Sequence, residues 1–244
     1  MRMPGECAAA THRTGPAGRA GATGWTALAA WSQCFVRHLW AGACWACGCR
    51  LGVGIPGPFC TACRAGVVAS GAVADIGAGL PTATAWAYGG PVADAVGRCK
   101  ERGALPALAE LDEVLHAAAG RLHLAAPVCW VAVAPERRRL AQRGFHLPDL
   151  LARRLACGGG RVAWALRRVD HLPTRRDARL GEPVFAARRP PAQAAAAVLV
   201  DDVVTSGATL RAAALALREA GWRVAGAVCL ADARPAIVAA ALGP

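Results

Sequence analysis

Residues 198–210 have the sequence Val-Leu-Val-Asp-Asp-Val-Val-Thr-Ser-Gly-Ala-Thr-Leu. The first part of this stretch, together with residues 194–197, is a short apolar run, which is typical of a buried parallel strand. Two carboxylates, Asp201 and Asp202, follow where that strand is expected to end. A loop of small hydroxyl and glycine residues comes next, and Leu210 opens a segment with helical spacing. This order predicts an α/β domain with a polar site at the end of a strand.

The loop after the acidic pair is suited to binding a phosphate group. Its members are Thr205, Ser206, Gly207, Ala208 and Thr209. Backbone N–H groups, three hydroxyl groups and the positive end of the helix dipole would surround the anion. Asp201 and Asp202 would repel a phosphate, so they are expected to accept hydrogen bonds from ribose hydroxyls or to hold a hydrated Mg²⁺. The alternative is a plain strand followed by a helix that Asp, Thr and Ser residues cap.

The whole stretch resembles the phosphoribosyl-pyrophosphate (PRPP) binding motif of type I phosphoribosyltransferases. In that motif, apolar residues precede two acidic residues and a Thr-Thr/Ser-Gly-x-Thr loop. The stretch matches neither a Walker A loop nor a Gly-x-Gly-x-x-Gly dinucleotide motif. The resemblance implies that Asp201 and Asp202 bind the ribose hydroxyls and that the loop binds the 5′-phosphate. It also implies a type I phosphoribosyltransferase-like fold, which is Rossmann-like with a mainly parallel sheet.

Four cysteines nearer the N-terminus form two Cys-x-x-Cys pairs that are separated by twelve residues. They are Cys44, Cys47, Cys60 and Cys63. This spacing predicts a small zinc-ribbon-like module in which four thiolates hold one structural Zn²⁺, because so short a segment cannot build a core of its own. A redox pair and a rubredoxin-like iron site are the alternatives. Cys49 lies between the pairs and is interpreted as a spectator, with a role as a fifth thiol of the site as the alternative.

Basic residues elsewhere in the chain are candidates for binding pyrophosphate. An arginine cluster follows the apolar run at 128–134, and open α/β sheets bind ligands at the ends of such strands. Guanidinium groups suit a pyrophosphate. The candidates are Lys100, the only lysine in the chain, and Arg137, Arg138, Arg139 and Arg143. The alternatives are a solvated basic loop for the arginines and a solvated helix end for the lysine.

The order of these segments resembles the ComF (competence protein F) family over residues 39–231. In both, a four-cysteine module precedes the phosphoribosyltransferase-like domain. Three further matches to family motifs lie between the cysteine module and the PRPP-like motif. They are Tyr88, Lys100 and the block Arg-Gly-Phe-His-Leu at 143–147. His146 and Leu147 replace the asparagine and glutamine of the family pattern.

The ComF resemblance implies two functions from different classes. The first is an enzyme that uses PRPP with Mg²⁺ for phosphoribosyl transfer to an unknown acceptor. The second is a DNA-uptake factor that binds single-stranded DNA or a competence helicase, with a non-catalytic PRPP site. A regulatory binding module without activity is a third possibility.

Length and composition indicate the domain organisation. The chain has 244 residues, 55% of them apolar, which suffices for one α/β domain with a small appendage. Its formal charge of +12 suits phosphorylated ligands or nucleic acid. We predict a disordered tail over 1–24, a short helix with the cysteine module over 25–70, and the phosphoribosyltransferase-like domain over 82–244. We expect no membrane insertion and a cytoplasmic location, because the chain lacks long apolar runs and a signal-peptide pattern.

Hydrophobic patterning predicts the order of the elements. The predicted strands occupy residues 82–88, 128–134, 161–168, 194–200 and 223–230. The predicted helices occupy residues 91–100, 105–119, 147–156 and 209–220. A linker is predicted over 64–81 and a long loop over 170–191.

Overall fold

The computed structural model describes residues 43–51, 57–71, 73–102, 111–125, 127–169, 183–191 and 195–242. These residues all belong to one compact unit, Gly42–Pro244. The predicted tail over 1–24 and the predicted helix that follows it lie outside the described residues. So do the start of the helix predicted at 105 and most of the loop predicted over 170–191.

Within the described ranges, eight strands form two sheets. They are β1 (Val73–Asp75), β2 (Pro81–Ala87), β3 (Val128–Ala132), β4 (Arg161–Val162), β5 (Leu166–Arg168), β6 (Phe185–Ala187), β7 (Ala196–Val204) and β8 (Val224–Asp232). The six-stranded sheet has the order β1-β2-β8-β7-β3-β4, and all its pairs are parallel except β1 with β2. Strands β5 and β6 form a separate antiparallel pair. The predicted α/β class with a mainly parallel sheet is therefore confirmed.

Seven helices lie in the described part of the chain. They are α1 (Thr61–Arg64), α2 (Gly90–Arg102), α3 (Asp112–Gly120), α4 (Arg137–Arg143), α5 (Leu147–Cys157), α6 (Ala208–Glu219) and α7 (Pro235–Leu242). In this described set, no helix combines the length and the apolar character that a membrane span requires.

Apolar side chains cover both faces of the large sheet. Along β7, Val198 and Val200 join the hydrophobic cluster that contains side chains of α2, α3 and α5. The alternate residues Ala197 and Leu199 join a second cluster with α6. Successive side chains of a strand point to opposite faces, so β7 is apolar on both sides. This double burial explains why its sequence is a continuous apolar run.

Short strands account for the differences from the predicted elements. The strand predicted over 161–168 is two strands, because β4 pairs with only two residues of β3 and the chain then turns to pair β5 with β6. The linker predicted over 64–81 contains β1, and the loop predicted over 170–191 contains β6. Helix α4 occupies the segment whose alternative interpretation was a basic loop, and α7 was not predicted.

Candidate functional site

The sheet topology indicates where a ligand would bind. The chain leaves β7 through α6 and enters β8 on one side, whereas it leaves neighbouring β3 through α4 and α5 and enters β4 on the other. In open α/β sheets, ligands bind at such a point, outside the carboxyl ends of the strands. The candidate site is therefore at the carboxyl ends of β3 and β7.

A cavity of about 230 Å³ includes this edge of the sheet. Its charged lining residues are the cationic side chains Lys100, Arg139, Arg143 and Arg168 and the acidic side chains Glu136, Asp201 and Asp202. Phe145 and residues 133–135 add apolar surface. A small cavity with both signs of charge suits a ligand that carries anionic groups together with hydroxyl groups.

The two adjacent carboxylates have different partners. Asp202 Oδ2 lies 2.8 Å from Lys100 Nζ, and only 15% of the Asp202 side chain is exposed. Asp201 Oδ1 accepts a hydrogen bond of 2.9 Å from the backbone N–H of Asp202. Burial raises the pKa of Asp201 to about 7, and the negative charge of Asp202 acts in the same direction. One carboxylate is thus paired with a lysine, while burial of its neighbour favours the protonated form over the range below its raised pKa.

The turn between β7 and α6 presents hydroxyl groups beside the acidic pair. Thr205 and Ser206 are exposed to solvent, and Thr209 lines the cavity. The first N–H groups of any α-helix lack acceptors within the helix, and at the start of α6 the Ala208 N–H donates to Ser206 Oγ at 3.3 Å. The predicted phosphate-binding loop is therefore accessible at Thr205 and Ser206, and two valines separate it from Asp202.

Gly207 allows this turn to form. Its φ is +77°, a region that residues with a side chain rarely adopt. A Cβ at this position would lie 3.1 Å from the side chain of Ile76. The Arg211 side chain closes on the same turn, donating hydrogen bonds to the carbonyl oxygens of Ser206 at 2.8 Å and Ile76 at 3.0 Å. The turn is thus held against the connection between β1 and β2.

The structure divides the predicted pyrophosphate-binding residues into two groups. Lys100, Arg139 and Arg143 line the cavity. Arg139 Nε also lies 3.0 Å from a carboxylate oxygen of Glu136. Arg137 and Arg138 are exposed on α4.

Among the polar residues of the cavity that were not predicted from the sequence as site residues are the cation Arg168 and His146. Arg168 lines the cavity from β5, and its segment contains several arginines with no pattern to separate this one from the rest. His146 also lines the cavity, and its Nδ1 lies 3.3 Å from Asp149 Oδ2. Leu147 is buried in the core, and it also lines the cavity.

A second candidate site is a cluster of thiols. The Sγ atoms of Cys44, Cys47, Cys49 and Cys60 all lie within 4.8 Å of one another. Four thiols this close could hold a metal ion such as zinc, which is commonly bound by four cysteines. The cluster contains three of the four predicted ligands, Cys44, Cys47 and Cys60, and does not contain the fourth, Cys63. It also contains Cys49, which was interpreted as a spectator.

Two turns bring these thiols together. The first is closed by a 2.7 Å hydrogen bond from Cys44 N–H to the carbonyl oxygen of Cys49, and Gly48 within it has a φ of +78°. In the second, the N–H of Cys63 donates to Cys60 Sγ at 3.5 Å. Burial raises the pKa of the Cys44 thiol, but N–H groups that include those of Cys60 and Cys47 outweigh this and lower it to about 6. A lowered pKa favours the thiolate that a metal requires.

Aromatic side chains connect the thiol cluster to the sheet. The rings of Trp45 and Phe59 meet edge to face with centroids 6.5 Å apart. Phe59 contacts Trp86 of β2 in the same way at 5.5 Å. The cysteine turns therefore pack directly on the α/β core.

Comparison with protein-family models and with curated proteins found no match for this sequence. The resemblance to the ComF family therefore remains a prediction that rests on the motifs. The proposals on function therefore rest on the geometry of the cavity and of the thiol cluster.

The acidic pair predicts a specific dependence of stability on pH. The ordinary pKa of aspartate is about 3.9, so a folded-state pKa near 7 means that the folded protein binds more protons than the unfolded chain between these values. The free energy of unfolding should therefore fall as the pH rises from 5 to 7, by up to about 1.4 kcal/mol per pH unit from this group. Urea denaturation of Asp201→Asn should show a flatter profile.

The control for this measurement is Asp94→Asn, which changes an exposed aspartate on α2. It should leave the pH profile as in the unsubstituted protein. Identical profiles for Asp201→Asn and the control would contradict the account of Asp201.

The turn at Gly207 predicts a contrast between two glycine substitutions. Gly207→Ala should lower the free energy of unfolding by about 1–2 kcal/mol, because of its positive φ and its contact with Ile76. Gly97→Ala lies in helix α2 with open space around it, so it should raise stability by about 0.5–1 kcal/mol. Urea denaturation measures both. Equal effects of the two substitutions would mean that the turn does not depend on glycine.

Proposed function

We propose that the cavity at the ends of β3 and β7 binds a 5-phosphoribosyl ligand, PRPP with Mg²⁺, and supports phosphoribosyl transfer to an acceptor. One observation carries this proposal. Asp201 and Asp202 share a cavity with four cationic side chains. They lie within β7, and only the last two residues of that strand separate them from the hydroxyl turn before α6. This is the arrangement that a sugar with a phosphate at one end and a pyrophosphate at the other requires.

Each group of side chains has a role in this proposal. The carboxylates of Asp201 and Asp202 accept hydrogen bonds from the two ribose hydroxyls. The turn at 205–209 binds the 5′-phosphate through N–H and hydroxyl groups. Arg139, Arg143 and Arg168 face the pyrophosphate. These last three candidates are the cavity-lining arginines of the described residues.

Phosphoribosyl transfer makes mainly electrostatic demands on such a site. Positive charge develops on the ribose carbon as the pyrophosphate departs, and fixed charges stabilise both fragments. Bound Mg²⁺ would neutralise part of the pyrophosphate charge. In this proposal the carboxylates would bind the ribose and the guanidinium groups would bind the departing pyrophosphate.

Ligand binding provides the test. PRPP with Mg²⁺ should raise the melting temperature of the protein, by an amount that grows with ligand concentration. The double substitution Asp201→Asn/Asp202→Asn should abolish this rise, and Asp94→Asn should preserve it. Absence of any rise in the unsubstituted protein would remove the proposed function. A rise that persists in the double variant would place the ligand elsewhere.

Exposed arginines on α4 favour a second candidate function, the binding of single-stranded nucleic acid. Arg137 and Arg138 are accessible, and arginine contacts to phosphates give an affinity that falls steeply with salt. A DNA-uptake role, with or without a helicase partner, would use such a surface. Exposed arginines would bind any polyanion, so they are weaker evidence for a specific ligand than the residues of the cavity. Binding of a sugar phosphate therefore remains the preferred proposal.

Salt dependence tests this second candidate. Binding of a single-stranded oligonucleotide should weaken with a constant slope of log affinity against log salt, and Arg138→Gln should reduce that slope by about 1. Arg223→Gln, an exposed arginine just before β8, is the control. Binding that is absent or independent of salt would exclude the nucleic-acid function.

We also propose that the thiol cluster holds a structural Zn²⁺. Four cysteine sulfurs are the typical ligands of a structural zinc ion, and a rubredoxin-like iron is the alternative that metal analysis distinguishes. The ion would fix the two cysteine turns whose aromatic neighbours pack on β2. Metal analysis of the purified protein tests this, with about one equivalent of zinc expected.

A further inference from the structure

An exposed tryptophan lies in a part of the chain that is rich in arginine. Trp164, between β4 and β5, is 60% exposed, the largest fraction among the large hydrophobic side chains of the described residues. Residues 150–169 and 183–191, whose strands β5 and β6 pair, contain seven arginines and no aspartate or glutamate. This part of the molecule therefore combines a large aromatic side chain with charge of one sign.

Arginine side chains lie close to this tryptophan. The guanidinium carbon of Arg153 is 5.4 Å from the centre of the Trp164 ring, which is a cation–π distance. The backbone N–H of Arg188 donates to the carbonyl oxygen of Ala165 at 2.8 Å, so the chain that leaves β6 runs beside the residue after Trp164. Arg153, Arg188 and Arg189 are all exposed. These three arginines and Trp164 are called the tryptophan surface below.

The exposure of Trp164 is unlike that of the other described tryptophans. Those four are buried in the two hydrophobic clusters of the core. A large aromatic side chain stabilises a fold through the apolar area that it buries, so an exposed one contributes little in this way. Exposed tryptophan is instead typical of binding surfaces, because it offers a rigid ring with a large contact area.

Single-stranded nucleic acid has the chemistry that the tryptophan surface would recognise. The bases of a single strand are free to stack on an aromatic ring, and its phosphates attract arginine. An apolar partner would leave the arginines without counter-charges, and a partner with negative charges alone would leave the tryptophan unused. Residues 161–168 have no hydroxyl or carboxylate side chain to recognise the 2′-hydroxyl of RNA, so DNA suffices as the ligand.

We propose that the tryptophan surface binds single-stranded DNA, with a base stacked on the Trp164 ring and neighbouring phosphates bound by its arginines. This inference rests on the second candidate function above and supplies the base-binding residue that the arginines of α4 do not provide. Because Trp164 is 60% exposed with Arg153 in place, the ring retains area for a base. Stacking accepts every base, so the surface should bind without strong sequence preference.

Two oligonucleotides with the same phosphates separate stacking from charge. One is oligothymidine, and the other is an abasic strand of equal length. Oligothymidine should bind about tenfold more tightly, Trp164→Ala should remove most of this difference, and Trp164→Phe should retain part of it. The control is Val73→Ala, which truncates an exposed side chain on β1, at the opposite edge of the six-stranded sheet from β4. It should preserve the difference.

Salt dependence separates the arginines from the tryptophan. Arg188→Gln should reduce the slope of log affinity against log salt by about 1, because it removes a phosphate contact. Trp164→Ala should lower the affinity for oligothymidine and leave the slope unchanged, since stacking releases no counterions. A lower slope in Trp164→Ala, or an unchanged slope in Arg188→Gln, would contradict these roles.

The outcomes distinguish this inference from the functions proposed above. Equal affinity for the two strands would indicate a surface for any polyanion, such as an acidic protein, and would overturn the inference alone. A preference for oligothymidine that Trp164→Ala leaves intact would do the same. Absence of binding would overturn the second candidate function as well, and much tighter binding of oligouridine would overturn the choice of DNA. The melting-temperature rise with PRPP should be the same in Trp164→Ala, so none of these results affects the cavity proposal.

Discussion

The placement of two adjacent carboxylates at the carboxyl end of β7 is the constraint on which the candidate site depends. β7 pairs with β3 on one side and β8 on the other, so the backbone cannot move to separate the two charges. Lys100 lies 2.8 Å from Asp202, and burial, with the charge of Asp202 acting in the same direction, raises the pKa of Asp201 to about 7. A ligand that brings hydroxyl donors or a cation would relieve this charge crowding. Binding energy is therefore available at this position.

The same sheet edge brings the complementary groups to the acidic pair. Because β3 and β7 send the chain in opposite directions, their following segments separate and leave a cavity between them. One segment supplies arginines from α4, and the other supplies the hydroxyl turn before α6. The cysteine turns lie outside this arrangement and contact the core through Phe59 and Trp86. This separation is consistent with a structural role for the metal and a binding role for the cavity.

Sequence reasoning succeeded where structure is decided by contiguous residues. Strands β3 and β7 were predicted because strands buried on both faces are continuous apolar runs, and β2 was predicted from a loose alternation of its residues. The acidic pair and the turn after it form one continuous segment of the sequence. Strands β4 to β6 have only two or three residues, and their pairing is decided by tertiary contacts. Arg168 reaches the cavity through that pairing, and Cys49 joins the thiol cluster through the turn at Gly48. The sequence around Arg168 and around Cys49 does not indicate either of these positions.

The most direct measurement of the central claim is the NMR response of backbone amides to ribose 5-phosphate. The account predicts that the largest chemical-shift changes fall on Thr205 to Thr209 and on Asp201 and Asp202, because these groups contact the phosphate and the sugar. Changes confined to the arginines of α4, or no saturable change at all, would contradict it.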